Sequence, residues 1–508
     1  MPVEIINSFM SWIIKKRIHQ MELFIKYPHD VQQEWFRKLV TTARTTEIGR
    51  KYDFGSINTV EEFRNRIPVQ NYESVKPYIK RLMQGEQNIL WPTDVKWFAK
   101  SSGTTSDKSK FIPVSAESME ECHFKGGKDL LAIYLNNNPE SKLFNGKLLS
   151  LGGSHQINSF SNESFYGDLS AIIMQNLPFW IQLFRTPDLS IALMDEWEEK
   201  IEKMARTTIT ENVTNISGVP SWTLVLLKHI LKITGKKYIT EVWPNIELFV
   251  HGAVNFEPYK MQFRKLIPKS DMHYLETYNA SEGFFGIQDQ TNSDEMLLML
   301  DYGIYYEFIP FDHIDSSPEK AVSLHEVKTG VNYALVISTN GGLWRYMIGD
   351  TIVFTSLSPY RIKITGRTAH FINAFGEEVI IENAEKAVAH ACIASGAVVR
   401  EYTAAPVYFD EEHSGAHEWL IEFEKEPDNF NAFASELDNK LKSLNSDYEA
   451  KRYHDKVLSN PVIRIMPYNT FYNWLKTKDK LGGQHKVPRL SNNRKIIEEI
   501  LSLSGVHV

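Results

Sequence analysis

Leu148-Leu149-Ser150-Leu151-Gly152-Gly153 is a short apolar run that stops on a glycine pair, and Leu248-Phe249-Val250-His251-Gly252 has the same shape further along. Apolar runs of this length ended by glycine predict buried strands that give way to loops at their carboxyl ends. Helical patterns lie between them, at Leu189 to Arg206 and at Trp222 to Ile233. Strands alternating with helices predict an α/β fold, with parallel sheets covered by helices. In such sheets ligands gather where the strands end, so the segments after these runs are where chemistry is expected.

Working outward, residues 1–95 have apolar residues at helical spacing with basic residues between, and Pro68, Pro77 and Pro92 mark the exit. Residues 296–356 hold Leu297-Leu298-Met299-Leu300, Gly303 to Ile309 and Tyr333 to Ile337 with no long helical pattern, which predicts an antiparallel sheet or small barrel. A second unit begins after residue 369. Glu382 to Ile393 reads as a helix, Val398 to Phe409 and Trp419 to Phe423 as strands, and Phe430 to Tyr453 as one long amphipathic helix. The expected organisation is a large α/β unit, residues 1–369, and a small mobile α+β unit, residues 370–508.

Composition excludes several classes. The chain has 508 residues, 43% apolar and 12% aromatic, which is ample for large cores. A net charge of −7 carries no electrostatic footprint for nucleic acid. Two cysteines support neither a disulfide framework nor a zinc site, and Cys122 beside His123 reads as a packed cysteine rather than a nucleophile. No apolar run approaches a membrane span. The N-terminus runs from Ile5-Ile6 to Lys15-Lys16-Arg17, apolar before basic, the reverse of a signal peptide. It is expected to dock on the body as a first helix, in a cytoplasmic protein that is a monomer or weak homodimer.

Four segments carry chemistry. Ser101-Ser102-Gly103-Thr104-Thr105-Ser106-Asp107-Lys108-Ser109-Lys110 has six hydroxyl residues and two lysines around one glycine. Backbone N–H groups, hydroxyls and ammonium charge together suit a polyphosphate, although the Walker spacing is absent and a solvated turn is the plain alternative. Tyr274-Leu275-Glu276-Thr277-Tyr278-Asn279-Ala280-Ser281-Glu282-Gly283 ends a strand with an aromatic, a hydroxyl and a carboxylate. Glu282 suits Mg2+, which takes one or two carboxylates with substrate phosphate oxygens. Trp344-Arg345-Tyr346-Met347-Ile348-Gly349-Asp350 places an acid where it can accept from ribose hydroxyls, with Gly366-Arg367 following. Gly482-Gly483-Gln484-His485-Lys486-Val487-Pro488-Arg489 is a glycine pair leading to a lysine.

Each is weak alone, but their joint order resembles the acyl-adenylate-forming (firefly luciferase-like) enzymes from about residue 95 onward. The closer resemblance is to the auxin-responsive acyl acid amido synthetases. Lys110 stands in the tenth place of its loop, as in that family, and His251-Gly252-Ala253-Val254 resembles its adenine-side loop. The resemblance implies ATP and Mg2+ as cofactors, and a carboxylic acid and an amino acid as substrates. It also implies roles. Ser101, Ser102, Gly103, Thr104, Thr105 and Lys110 would hold the phosphates, with Ser281 beside them and Glu282 on the metal. Gly252, Ala253, Val254 and Tyr278 would hold adenine, Asp350 the ribose, and Arg367 the ribose or phosphate. Lys486 would serve adenylation from the small unit. Phe165, Leu169, Val219 and Trp222 are expected to line the acyl pocket. Two departures stand out: Ser106-Asp107 replaces a glycine, and Met347 stands where plant members have arginine. Acyl-CoA ligases share the first half-reaction, and a catalytically silent adenylate-binding protein is the third reading.

Overall fold

The computed structural model describes the chain except residues 1–15, 102–109, 153–157, 162–163, 178, 195, 254–255, 292, 315–319, 368–370, 373–376, 378, 408–414, 446–447, 450–451, 453–457, 479–485, 492–493 and 506–508. The strands run in chain order β1 (Trp97–Ser101), β2 (Lys110–Val114), β3 (Lys147–Leu151), β4 (Asn158–Ser161), β5 (Ser164–Gly167), β6 (Arg185–Thr186), β7 (Val213–Gly218), β8 (Leu248–Gly252), β9 (His273–Ala280), β10 (Gly283–Ile287) and β11 (Met296–Leu298). Then follow β12 (Ile304–Pro310), β13 (Val322–Ser323), β14 (Asn332–Thr339), β15 (Tyr346–Leu357), β16 (Tyr360–Arg367), β17 (Phe371–Ile372), β18 (Val379–Ile380), β19 (Val398–Val407), β20 (Ala416–Lys425) and β21 (Val462–Met466).

Twelve of these strands form one sheet, in the order β13-β12-β14-β15-β16-β11-β10-β9-β8-β7-β3-β6. The neighbours from β9 to β6 are parallel, and those from β13 to β9 are antiparallel. The strand-rich region is thus antiparallel, as its texture predicts, but it continues the parallel sheet instead of standing apart. A four-stranded sheet, β2-β1-β5-β4, lies beside it.

Helices cover the parallel half because each presents one apolar stripe. Pro220–Thr234 starts on a proline in its first turn and stops at Gly235 in the left-handed conformation. Leu226, Leu227 and Ile230 from it pack with Leu149, Ile216 and Phe249 of the sheet. The stretch Leu189 to Arg206 is two helices, Leu189–Ala192 and Trp197–Thr208, rather than one. The break lets Leu193 pack with Ala171 and Met174 while Met204 and Ala205 face the sheet core.

From residue 16 the described part of the N-terminal region is helical as expected, while the apolar stretch from Ile5, expected to dock as a first helix, lies almost wholly outside the described residues. Residues 16–26 dock by burying Met21 and Phe24, and Arg17 Nε donates to Asp129 at 2.6 Å. Pro77 lies inside the helix Tyr72–Met83 rather than after it. After β16 the chain builds a three-stranded sheet, β19-β20-β21, with cores of its own. The helix expected to reach Tyr453 is Phe430–Leu444. It ends because Asn445 turns extended and its side chain accepts from the N–H of Tyr448 at 2.8 Å, folding Tyr448 back onto Asp438. Among the described residues no helix is long and apolar enough to cross a membrane.

Candidate functional site

β8 and β9 run parallel with Gly252 opposite Thr277. A Cβ on Gly252 would stand 2.6 Å from the Thr277 carbonyl oxygen, so only glycine permits this approach. Ala253 follows with φ of 70°, turning the chain out of the sheet. The turn opens into a cavity of 2380 Å³, lined by both units.

Most of the residues singled out by sequence meet there. Gly252, Ala253, Tyr278, Ser281, Glu282 and Asp350 line it, as do Lys110 and Lys486. Tyr278 is in β9, not in the following loop. Its ring is buried and lies 4.8 Å from that of Phe285, and its hydroxyl donates to Asp350 Oδ2 at 2.8 Å. That bond joins two motifs 72 positions apart and aims the carboxylate of β15. Asp350 stands opposite Arg367 across β15 and β16. Ser281 is 4% exposed, and its hydroxyl has no partner among the described residues. A buried hydroxyl on a cavity wall without a protein partner is free to bond a ligand or water.

β1 and β2 pair with Ser101 opposite Lys110, so both ends of the Ser/Thr-rich segment meet beside the cavity. The Lys110 ammonium lies 5.8 Å from the Tyr72 ring centre. Ser102, Gly103, Thr104, Thr105 and Val254 lie outside the described residues, as do the side chains of Ser101 and Arg367. Of the acyl-pocket residues, Leu169, Val219 and Trp222 line the cavity. Phe165 does not line it. Its register partner on β1 is Trp97, and the two rings pack 5.2 Å apart in the four-stranded sheet.

The small unit contacts this wall. The Lys486 ammonium donates to the carbonyl of Ala253. Arg489 Nη2 donates to the Tyr259 hydroxyl at 2.8 Å, Lys228 pairs with Glu424 at 2.8 Å, and the Tyr472 hydroxyl donates to Glu198 at 3.0 Å.

Sequence reasoning missed Glu276. It lines the cavity two positions before Tyr278 on β9. Burial, then the carboxylates of Glu385, Asp294 and Glu257, push it up to about 7. Its signal was available: an acid in a strand otherwise apolar on that side. The opposite lesson comes from Cys122 and His123. Burial pushes the thiol up to about 12 and the imidazole down to about 4, so neither is ionised near neutrality. Cys122 Sγ accepts from the Phe284 N–H at 3.1 Å, a packing role. Among the described residues no group of three or more His, Cys, Asp or Glu is arranged to hold a metal.

Comparison with known proteins finds relatives along most of the chain. Residues 17–272 match the GH3 family N-terminal domain, 297–367 its central domain and 382–495 its C-terminal domain. An indole-3-acetic acid-amido synthetase of Arabidopsis thaliana is 24% identical over 92% of this chain and 90% of its own. A 4-substituted benzoates-glutamate ligase of the same plant is 22% identical over 92% of this chain and 94% of its own. The solved structure of an acyl acid amido synthetase in complex with 2,4-DB superposes with a TM-score of 0.80, at 16% identity, over 96% of both chains. A 2-hydroxyisobutyryl-CoA ligase has the same fold, with a TM-score of 0.58 at 12% identity over 94% of this chain and 92% of its own.

Proposed function

The chain belongs to the GH3 family, and on that premise we propose that it is an ATP-dependent acyl acid amido synthetase. The observation that carries the reading is the cavity itself, which gathers Lys110, Ala253, Ser281, Asp350 and Lys486 from five separate stretches of sequence. A substrate carboxylate oxygen attacks the α-phosphorus of ATP, the α–β anhydride bond breaks, and acyl-AMP and pyrophosphate result. An amino-acid amine then attacks the acyl carbon, AMP leaves, and the nitrogen loses a proton to give the amide.

Two anions must be forced together in the first step, so positive groups aimed at the developing charge lower its barrier most. Lys110 and the hydroxyls of residues 101–105 hold the outer phosphates. Asp350, aimed by Tyr278, takes the ribose hydroxyls, and Arg367 lies beside it. Tyr278, Gly252, Ala253 and Val254 hold the adenine. Ser281 offers its unpartnered hydroxyl to a phosphate oxygen. The donor set fits Mg2+, since Glu282 supplies one carboxylate and the phosphates the rest; bound there, the ion would offset phosphate charge. Leu169, Val219 and Trp222 form an apolar wall for the acyl group. Residues 1–369 form the nucleotide- and acid-binding unit, and residues 370–508 a lid that pivots near residue 368 between the half-reactions. The address we propose is the cytoplasm.

ATP–pyrophosphate exchange over a panel of carboxylic acids tests the first half. Exchange is expected with at least one hydrophobic acid. ATP binding without exchange for any acid would instead favour a silent adenylate-binding protein. Offering an amino acid and CoA together tests the second half: amide is expected, and thioester as the faster product would overturn the amido assignment.

A further inference from the structure

Arg185 is the first residue of β6, the edge strand of the twelve-stranded sheet. It stands opposite Leu148 of β3, and cross-strand partners share a face. Leu148, Ser150 and Gly152 all line the cavity, so Arg185 shares the cavity's face of the sheet; it is not itself a lining residue and reaches the wall through Met174, which is. It is 5% exposed. Its Nη1 donates to Gln182 Oε1 at 3.2 Å, and its Nη2 lies 2.9 Å from the Met174 sulfur. No carboxylate among the described residues comes within ion-pair distance of it. Asp188, the acid that acts on it, is exposed, and burial outweighs it in pushing the guanidinium below its usual range.

A guanidinium has five N–H donors, and a buried charge is ordinarily paired. Here a thioether, a weak acceptor, takes the place of an anion. Met174 is itself a wall residue of the cavity, and its methyl group lies over Gly152, within 2.5 Å of where a Cβ would stand. An unbranched thioether can swing aside at small cost. β6 lies three strands from β8, roughly 14 Å at the usual strand spacing, so this corner is remote from the nucleotide wall.

We infer that Arg185 recognises an oxygen at the far end of the acyl acid: the preferred substrate carries a distal carbonyl or carboxylate, which replaces the Met174 sulfur on the guanidinium. The inference rests on the synthetase reading for which end of the acid reacts, and it adds the chemistry of the other end. Arg185 is a specificity residue that touches no reacting atom.

The test is calorimetric binding of chain-matched acids, octanoate against octanedioate and decanoate against decanedioate, with the corresponding terminal methyl ketones. Wild type is expected to favour the oxygen-ended member by about tenfold, the scale of one charge-assisted hydrogen bond. Arg185→Met should bring the two affinities together, with circular dichroism checking its fold. Met174→Ala, which uncovers the guanidinium, should widen the preference. A wild-type preference for the methyl-ended acids would overturn the inference, as would a preference that survives in folded Arg185→Met. Should Arg185→Met not fold, an unchanged preference in Met174→Ala overturns it. Exchange assays on the same acids separate the two readings. An oxygen preference in binding without exchange sustains this inference and removes the synthetase. Equal exchange with both ends removes this inference alone.

Discussion

Lys486 and Glu276 are two charged groups on one cavity wall, with opposite consequences. The Lys486 ammonium reaches the Ala253 carbonyl from the small unit, and on the proposed mechanism its charge is in the site only while that unit is closed. It should matter while two anions are forced together and little once acyl-AMP exists. Lys486→Ala is expected to lower adenylation by roughly 10²–10³-fold, the loss of one preorganised electrostatic group. Amide formation from supplied acyl-AMP should barely change, and assaying the half-reactions separately distinguishes this from an equal loss in both. Glu276 is pushed from 4.5 up to about 7, first by burial and then by Glu385, Asp294 and Glu257. Its folded value exceeds its unfolded one, so below pH 4.5 the group is protonated in both states and burial carries no charge penalty. The penalty grows as pH rises toward 7 and is complete above it. Glu276→Gln should therefore flatten the fall in melting temperature across that window. A slope identical to wild type would place the pH dependence elsewhere.

At the scale of elements, the segment between β14 and β15 is tied to the N-terminal helices by one buried arginine. Arg345, with φ of 42°, donates from Nε to Glu307 Oε2 at 2.9 Å and from Nη1 to the Ile67 carbonyl at 2.6 Å. Both ionic partners are 1% exposed, and Arg64 also reaches Glu307 at 2.9 Å. Trp344 beside it donates to the Leu90 carbonyl at 3.1 Å. The Trp-Arg-Tyr stretch is therefore a clamp that sets where β15, and hence Asp350, begins. Removing one partner of a buried pair costs about 3–5 kcal/mol. Because Arg64 still offsets Glu307, Arg345→Met should fall near the lower end, read as a drop in melting temperature. Unchanged stability would mean the clamp contributes nothing.

At the scale of the whole molecule, one ion pair that joins the two units, Lys228 with Glu424, is polar and partly exposed. The Lys228–Glu424 pair has side chains 37% and 34% exposed, so it contributes no more than about 1 kcal/mol. A contact this weak suits the opening lid of the proposed mechanism. Glu424→Lys replaces the attraction by repulsion and should lower the closed population about fivefold, the equivalent of about 1 kcal/mol. X-ray scattering with ATP and acid present should then show a larger radius, and adenylation should fall more than amide formation. Adding Lys228→Glu restores the pair and should restore both; failure to recover would mean Glu424 acts through some other contact.

Local pattern carried the strands that end on glycine, the helices over them and the order of the chemical segments. Each of those is written within a few residues: periodicity reports a buried face, and glycine reports a close approach such as Gly252 on Thr277. What meets what is a matter of tertiary structure. That Tyr278 aims Asp350, that Lys486 closes on Ala253, and that Phe165 packs on Trp97 away from the cavity depend on strand order and register, which no local window contains. The antiparallel region joins the parallel sheet through β9 and β10, a pairing between neighbours whose consequence spans twelve strands. Burial decided the rest. Glu276 is an ordinary acid and Arg185 an ordinary base by sequence; only the folded chain places one among carboxylates and the other against a thioether, where removal from water changes what each can do.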